Sequence, residues 1–88
     1  MAIDWQASWA ALRELDGDAW DRESERLEEL WKAEYHTAFI DHATSRRWSR
    51  DNAEVWASEI ADEALNERGG DPVEAARADV LRCEREAT

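Results

Sequence analysis

Glycine and proline occupy only two short places in this chain, and their placement constrains the fold more than any other feature. The sequence holds three glycines and one proline among 88 residues, at positions 17, 69, 70 and 72. These residue types are the ones that most often end a helix or start a new one. No alternating apolar run bounded by turns is present, so the pattern predicts long helices and no strand.

Helix-capping residues stand where the predicted helices begin. Asp4 can cap the first helix, and Gly17 is expected to close it. Asp71, Pro72 and Glu74 combine an N-cap residue, a proline at the first helical position and a capping-box glutamate. The four predicted helices cover about residues 5–15, 19–43, 50–68 and 72–86.

Apolar residues recur at helical spacing in each of these segments, so each helix has one face to bury. Short loops between such helices favour antiparallel neighbours, and the predicted fold is all-α: a small up-and-down bundle of four helices over residues 1–88, with the second helix as its spine. The expected buried residues of helices 2, 3 and 4 are Trp20, Leu27, Leu30, Trp31, Ala38 and His42; Ala53, Trp56, Ala57, Ile60, Ala64 and Leu65; and Val73, Ala76, Val80, Cys83 and Ala87.

Acidic residues outnumber basic ones by 22 to 11, which gives a formal net charge of -11. Self-repulsion on this scale opposes folding, so the surplus indicates a basic partner. The acidic stripes predicted on helices 2 and 3 consist of Asp18, Asp21, Glu25, Glu28 and Glu29, and of Glu59, Asp62, Glu63 and Glu67. Carboxylates one turn apart are separated by about 5–6 Å, close to the spacing of phosphates on a nucleic-acid strand. The alternative is that each stripe is an ordinary solvated helix face.

Tryptophan is abundant, with six in the chain. Trp9, Trp20, Trp31 and Trp56 are expected in the core, because each lies on an apolar stripe. Trp48 lies in a basic segment with Arg46, Arg47 and Arg50, and Trp and Arg are enriched at interface hot spots. This segment is therefore a candidate contact site. The alternative is that its arginines pair with nearby carboxylates while Trp48 covers the core.

Catalytic and metal-binding motifs are not recognised in the sequence. His36 and His42 are six residues apart and so lie on different helix faces. The single cysteine, Cys83, is expected to be a small core residue and fits a reducing compartment. We therefore expect a non-enzymatic protein without metal or cofactor. The first residues lack the pattern of a signal peptide, and no apolar run reaches membrane-spanning length, which favours the cytoplasm.

In size, charge and helical character the whole chain resembles the small acidic inhibitors that bacteriophages and mobile elements direct at host defence or transcription machinery, including anti-CRISPR proteins. The resemblance implies a DNA-mimic inhibitor that blocks a basic, nucleic-acid-binding site on another protein. Direct nucleic-acid binding is disfavoured, because most of the surface repels phosphate. One alternative is a small assembly or adaptor subunit that self-associates, as a homodimer for example, through Trp-rich surface. Another is an acidic antitoxin.

Overall fold

The computed structural model describes residues 3–68 and 70–87, apart from the side chains at positions 67, 68 and 87. Four helices and no strand form this part of the chain, which confirms the predicted all-α bundle. The helices are α1 (Trp5–Leu12), α2 (Gly17–Ser45), α3 (Arg50–Arg68) and α4 (Pro72–Ala87). At 1.5 Å per residue the 29 residues of α2 span about 43 Å, close to the 45 Å length of the molecule. The second helix is therefore the spine.

Side-chain caps begin α1 and α4 as the sequence predicts. The Asp4 carboxylate accepts a hydrogen bond from the Ala7 N–H at 3.0 Å. The Asp71 carboxylate accepts from the Val73 N–H at 2.8 Å and from the Glu74 N–H at 3.3 Å. Each cap satisfies N–H groups that the first turn of a helix leaves without partners.

Gly17 has a different role from the predicted one. The first helix ends earlier, at Leu12, where the Arg13 N–H donates to the Ala10 carbonyl at 3.2 Å and the Glu14 N–H donates to the Ala11 carbonyl at 3.1 Å. Gly17 instead begins α2 with a φ of +60°. A side chain at this φ is strained, and glycine is the residue that adopts it at least cost.

Packing is organised around α2, which lies along both α3 and α4, while α3 and α4 contact each other little. The first helix folds back along α2, where the Trp5 indole N–H donates to the Glu34 carboxylate at 3.0 Å. Small side chains line the buried face of α3, so its backbone can approach α2 closely. This alanine seam consists of Ala53, Ala57, Ala61 and Ala64.

Large side chains fill the core from the α2 side. Trp31, Tyr35 and Phe39 are completely buried and lie one turn apart on α2. The rings of Trp31 and Tyr35 stack with centroids 5.4 Å apart, and the Tyr35 and Phe39 centroids are 5.9 Å apart. The Trp31 indole N–H donates to the Gly70 carbonyl at 2.6 Å, which ties α2 to the segment before α4. Trp31 thus confirms its predicted place in the core.

Three residues predicted in the core are exposed: Trp20, Leu30 and Trp56. Trp56 directly precedes Ala57, and the close approach at the alanine seam leaves that side of α3 outside the contact with α2. Trp20 and Leu30 lie where the eight-residue α1 covers α2 only partly. Trp9 is half-buried against the core.

None of the helices in the described ranges has the length and apolar character that crossing a bilayer requires.

Candidate partner-binding surface

The predicted acidic stripes are exposed wherever their side chains are described. On α2 the carboxylates of Asp18, Asp21, Glu25, Glu28 and Glu29 face solvent, and on α3 those of Glu59, Asp62 and Glu63 do so. We call these eight residues the acidic face. Glu67 belongs to α3, but its side chain lies outside the described residues.

Lys32 joins the two stripes. Its Nζ atom lies 2.9 Å from the Asp62 carboxylate, so the ion pair links α2 to α3. The hydrogen bond to Asp62 raises the pKa of Lys32, and the nearby negative charges of Asp62, Glu28 and Glu29 act in the same direction. The register of the two helices thereby brings the α2 and α3 stripes together around one ammonium group.

Glu59 and Glu63 continue the acidic face away from α2. Asp62 points towards Lys32, whereas Glu59 and Glu63 follow the exposed Trp56 by three and seven residues. Residues three apart are neighbours on a helix, and residues seven apart lie two turns along the same face. An exposed indole therefore stands beside carboxylates on the outer surface of α3, a combination that the sequence analysis missed because it assigned Trp56 to the core.

The basic segment between α2 and α3 forms a helix-terminating turn. The Trp48 N–H donates to the Ala43 carbonyl at 3.0 Å, and the Arg47 N–H donates to the Thr44 carbonyl at 3.1 Å. Arg47 has a φ of +73°. These bonds and this left-handed residue make a Schellman motif with arginine at the position usually held by glycine.

Trp48 and Arg46 are engaged within the molecule. The Trp48 ring packs edge-on against Phe39, with centroids 5.8 Å apart. Its indole N–H donates to one Glu84 oxygen at 3.2 Å, and the Arg46 guanidinium donates to the other at 2.6 Å. The hydrogen bond from Arg46, reinforced by that from Trp48, lowers the pKa of Glu84. These contacts match the alternative interpretation, in which the segment packs against the bundle.

The other two arginines of the segment are exposed. Arg50 pairs with Glu54 one turn later on α3, at 3.3 Å. Such exposed pairs contribute little to stability. Arg47 and Arg50 are thus the residues of this segment that a partner could reach with least rearrangement.

A groove lies beside this turn, between the start of α3 and the end of α4. Its exposed apolar residues are Trp56 and Leu81, each about 41% exposed, and half-buried Trp48 lines it as well. We call it the Trp56 groove. Leu81 was not predicted as a surface residue, although it falls outside the apolar stripe of α4 that contains Val80 and Cys83. Its position outside this stripe is the sequence feature that could have predicted its exposure.

A buried polar pair connects α2 to α4. The Tyr35 hydroxyl donates to the Asp79 carboxylate at 2.6 Å, and both residues are buried. An Arg82 nitrogen lies 3.7 Å from the other Asp79 oxygen. Burial raises the pKa of Tyr35, and the hydrogen bond to Asp79 raises it further. The pair is closed off from solvent, so its role is to fix the packing of the two helices.

In the described part of the chain, no group of three or more His, Cys, Asp or Glu side chains could hold a metal ion. His36 instead lies 3.5 Å from the Ser58 hydroxyl. Cys83 is buried, and desolvation raises the pKa of its thiol, which disfavours the reactive thiolate.

Comparison of the chain with protein families, characterised proteins and solved structures finds no match. The functional interpretation therefore rests on the geometry and charge of this surface.

Proposed function

We propose that this chain is an acidic interaction protein that binds and blocks a basic, nucleic-acid-binding site on another protein. The observation that carries the proposal is the convergence of the two stripes into one acidic face. Lys32 is paired with Asp62 there, while Glu28 and Glu29 stand beside it without an ion pair among the described contacts.

The spacing of the acidic face suits a site built for phosphates. From Asp18 to Glu29 the α2 stripe covers 11 residue steps, or about 16 Å of helix axis, with a carboxylate at nearly every turn. Lys and Arg side chains that contact successive phosphates could contact these carboxylates instead. A net charge of -11 also steers association with a positively charged cleft.

A phage-encoded inhibitor, of the anti-CRISPR or DNA-mimic kind, is the specific form of this proposal. It is supported by the small size, the acidic surplus and the rigid helical display of carboxylates. The exposed carboxylates of the acidic face supply the long-range attraction to a basic site.

The test begins with affinity capture of the target from a bacterial lysate and identification by mass spectrometry. The decisive step is a competition assay, in which the captured protein binds labelled nucleic acid and this chain is titrated in. We expect displacement of the nucleic acid, with an on-rate that falls steeply as salt is raised, because exposed charges are screened over about 8 Å at physiological ionic strength.

Charge reversal supplies the matched control. Glu59→Lys with Glu63→Lys changes the net charge from -11 to -7 on the acidic face, and Asp41→Lys with Glu86→Lys makes the same change at exposed positions elsewhere. Only the first pair should strongly weaken displacement, while both should leave the fold intact or slightly more stable. Equal effects of the two pairs, or a salt-independent on-rate, would contradict the proposal.

A further inference from the structure

Charge is distributed unequally between the two ends of the bundle. The α2–α3 turn packs against the end of α4 through Arg46 and Glu84, so the end of α2, the start of α3 and the end of α4 lie together. Residues 41–57 and 80–87, which form this end, carry five arginines and five acidic residues. The rest of the chain carries the other 17 acidic and six basic residues. We call the first part the neutral end and the second the acidic end.

The Trp56 groove lies at the neutral end. Trp56 and Leu81 expose apolar surface there, and Trp48 forms part of its wall. Arg46, Glu84 and Arg85 also line the groove, so both signs of charge stand beside apolar surface. An isologous contact requires each patch to complement itself, and a surface with apolar groups and both signs of charge meets this requirement.

We propose that a second copy of this chain docks at the neutral end, with the Trp56 groove of each copy against that of the other. The charge distribution identifies the occupant. Two chains of net charge -11 repel each other along their acidic ends, whereas the neutral end lets them approach without that cost. The α2 stripe of each copy, from Asp18 to Glu29, belongs to the acidic end and lies away from this contact.

The size of the Trp56 groove sets the strength of this dimer. Eight residues line the groove, fewer than the roughly 20–30 residues that each partner contributes to a standard interface. The dimer is therefore weak, and it forms at micromolar to millimolar protein concentrations.

Sedimentation equilibrium of the full chain over roughly 10 µM to 1 mM tests the proposal. The weight-average mass should rise from 10.2 kDa towards twice that value. Trp56→Ser and Leu81→Ser should each weaken the association at least about tenfold while circular dichroism shows the fold unchanged, since both side chains are exposed. The matched control is Trp20→Ser, which removes an indole of similar exposure, 43%, from the acidic end and should leave association unchanged.

Salt dependence separates this inference from the proposed function, on which it does not rest. Raising salt from about 10 mM to 150 mM shortens the screening length from about 30 Å to 8 Å, which should strengthen the dimer while it weakens partner binding. A mass that stays at 10.2 kDa, an effect of Trp20→Ser equal to that of Trp56→Ser, or a dimer that dissociates as salt rises would each overturn the inference. So would a monomer whose Trp56→Ser variant loses affinity for the captured target, because the groove would then belong to that partner.

Discussion

Replacement of Tyr35 by phenylalanine isolates the buried hydrogen bond between α2 and α4. The substitution removes the hydroxyl that donates to Asp79 at 2.6 Å and keeps the ring that stacks between Trp31 and Phe39. Packing is therefore nearly unchanged, while the 2%-exposed Asp79 carboxylate loses a hydrogen-bond donor in a place that water does not reach.

The expected cost follows from the charge and burial of the acceptor. A hydrogen bond to a charged group contributes about 1.5–3 kcal/mol, and a buried acceptor without its donor cannot recover this from solvent. The whole domain, at 88 residues, should have an unfolding free energy of about 4–13 kcal/mol. The substitution should thus remove a large share of the stability and lower Tm by roughly 6–24 °C.

Urea and thermal unfolding followed by circular dichroism measure this change at neutral pH. The cycle of Tyr35→Phe, Asp79→Asn and the double variant then gives the coupling free energy between the two side chains. Because the chain has one tyrosine, phenolate absorbance reports Tyr35 alone.

The pH dependence gives a second readout. The pKa of Tyr35 is raised in the folded state, so the proton is bound more tightly there than in the unfolded chain. The stability that this pKa difference contributes is fully present below the pKa of about 10 that tyrosine has in the unfolded chain, and it is lost as the pH rises above that value. The difference between the wild type and Tyr35→Phe should therefore narrow above about pH 10. A phenylalanine variant as stable as the wild type at pH 7, or a difference that stays constant above pH 10, would refute the reasoning.

Trp31→Ala should lower the unfolding free energy by about 3–5 kcal/mol, because it leaves a cavity in the core and removes the hydrogen-bond donor to the Gly70 carbonyl. Trp56→Ala should lower it by less than about 1 kcal/mol, because Trp56 is exposed. Chemical unfolding of the two variants measures both changes. Trp48→Ala should cost about 2–3 kcal/mol, since it loses the edge-on contact with Phe39 as well as a hydrogen bond, and a cost below 1 kcal/mol would make Trp48 a free surface residue. Arg47→Gly should raise the unfolding free energy by up to about 1 kcal/mol by relieving the left-handed backbone, and a lowered Tm would show that the arginine side chain outweighs this strain.

Local signals explain what the sequence predicted well. The Asp4 and Asp71 caps act within three residues of their own position, so the chain shows them without any knowledge of packing. The interval from residue 18 to residue 68 without glycine or proline likewise predicts helix over most of its length, although it does not mark the turn between α2 and α3. The fold class and the starts of α1 and α4 follow from these signals.

Contacts between helices explain which features the sequence predicted poorly. Trp56 and Ala57 are adjacent in sequence, and an apolar stripe can include both, but only the closeness of α3 to α2 decides which of them is buried. Tyr35 and Asp79 are 44 residues apart, and neither stood out, because a tyrosine on an apolar stripe and an aspartate on a charged helix are both ordinary. The joining of the acidic stripes at Lys32 depends in the same way on the register between α2 and α3.

Helix electrostatics explains how the chain tolerates a polarised surplus of charge. The neutral end holds the carboxyl termini of α2 and α4, where Arg46, Arg47 and Arg85 lie next to the negative ends of the helix dipoles. Acidic residues stand in the first turns of the same helices, at Asp18 and Glu74, near the positive ends. Each such placement stabilises the fold by about 0.3–1 kcal/mol, so together they offset part of the repulsion among the carboxylates of the acidic end. The charge separation between the acidic end and the neutral end therefore also favours folding of α2 and α4.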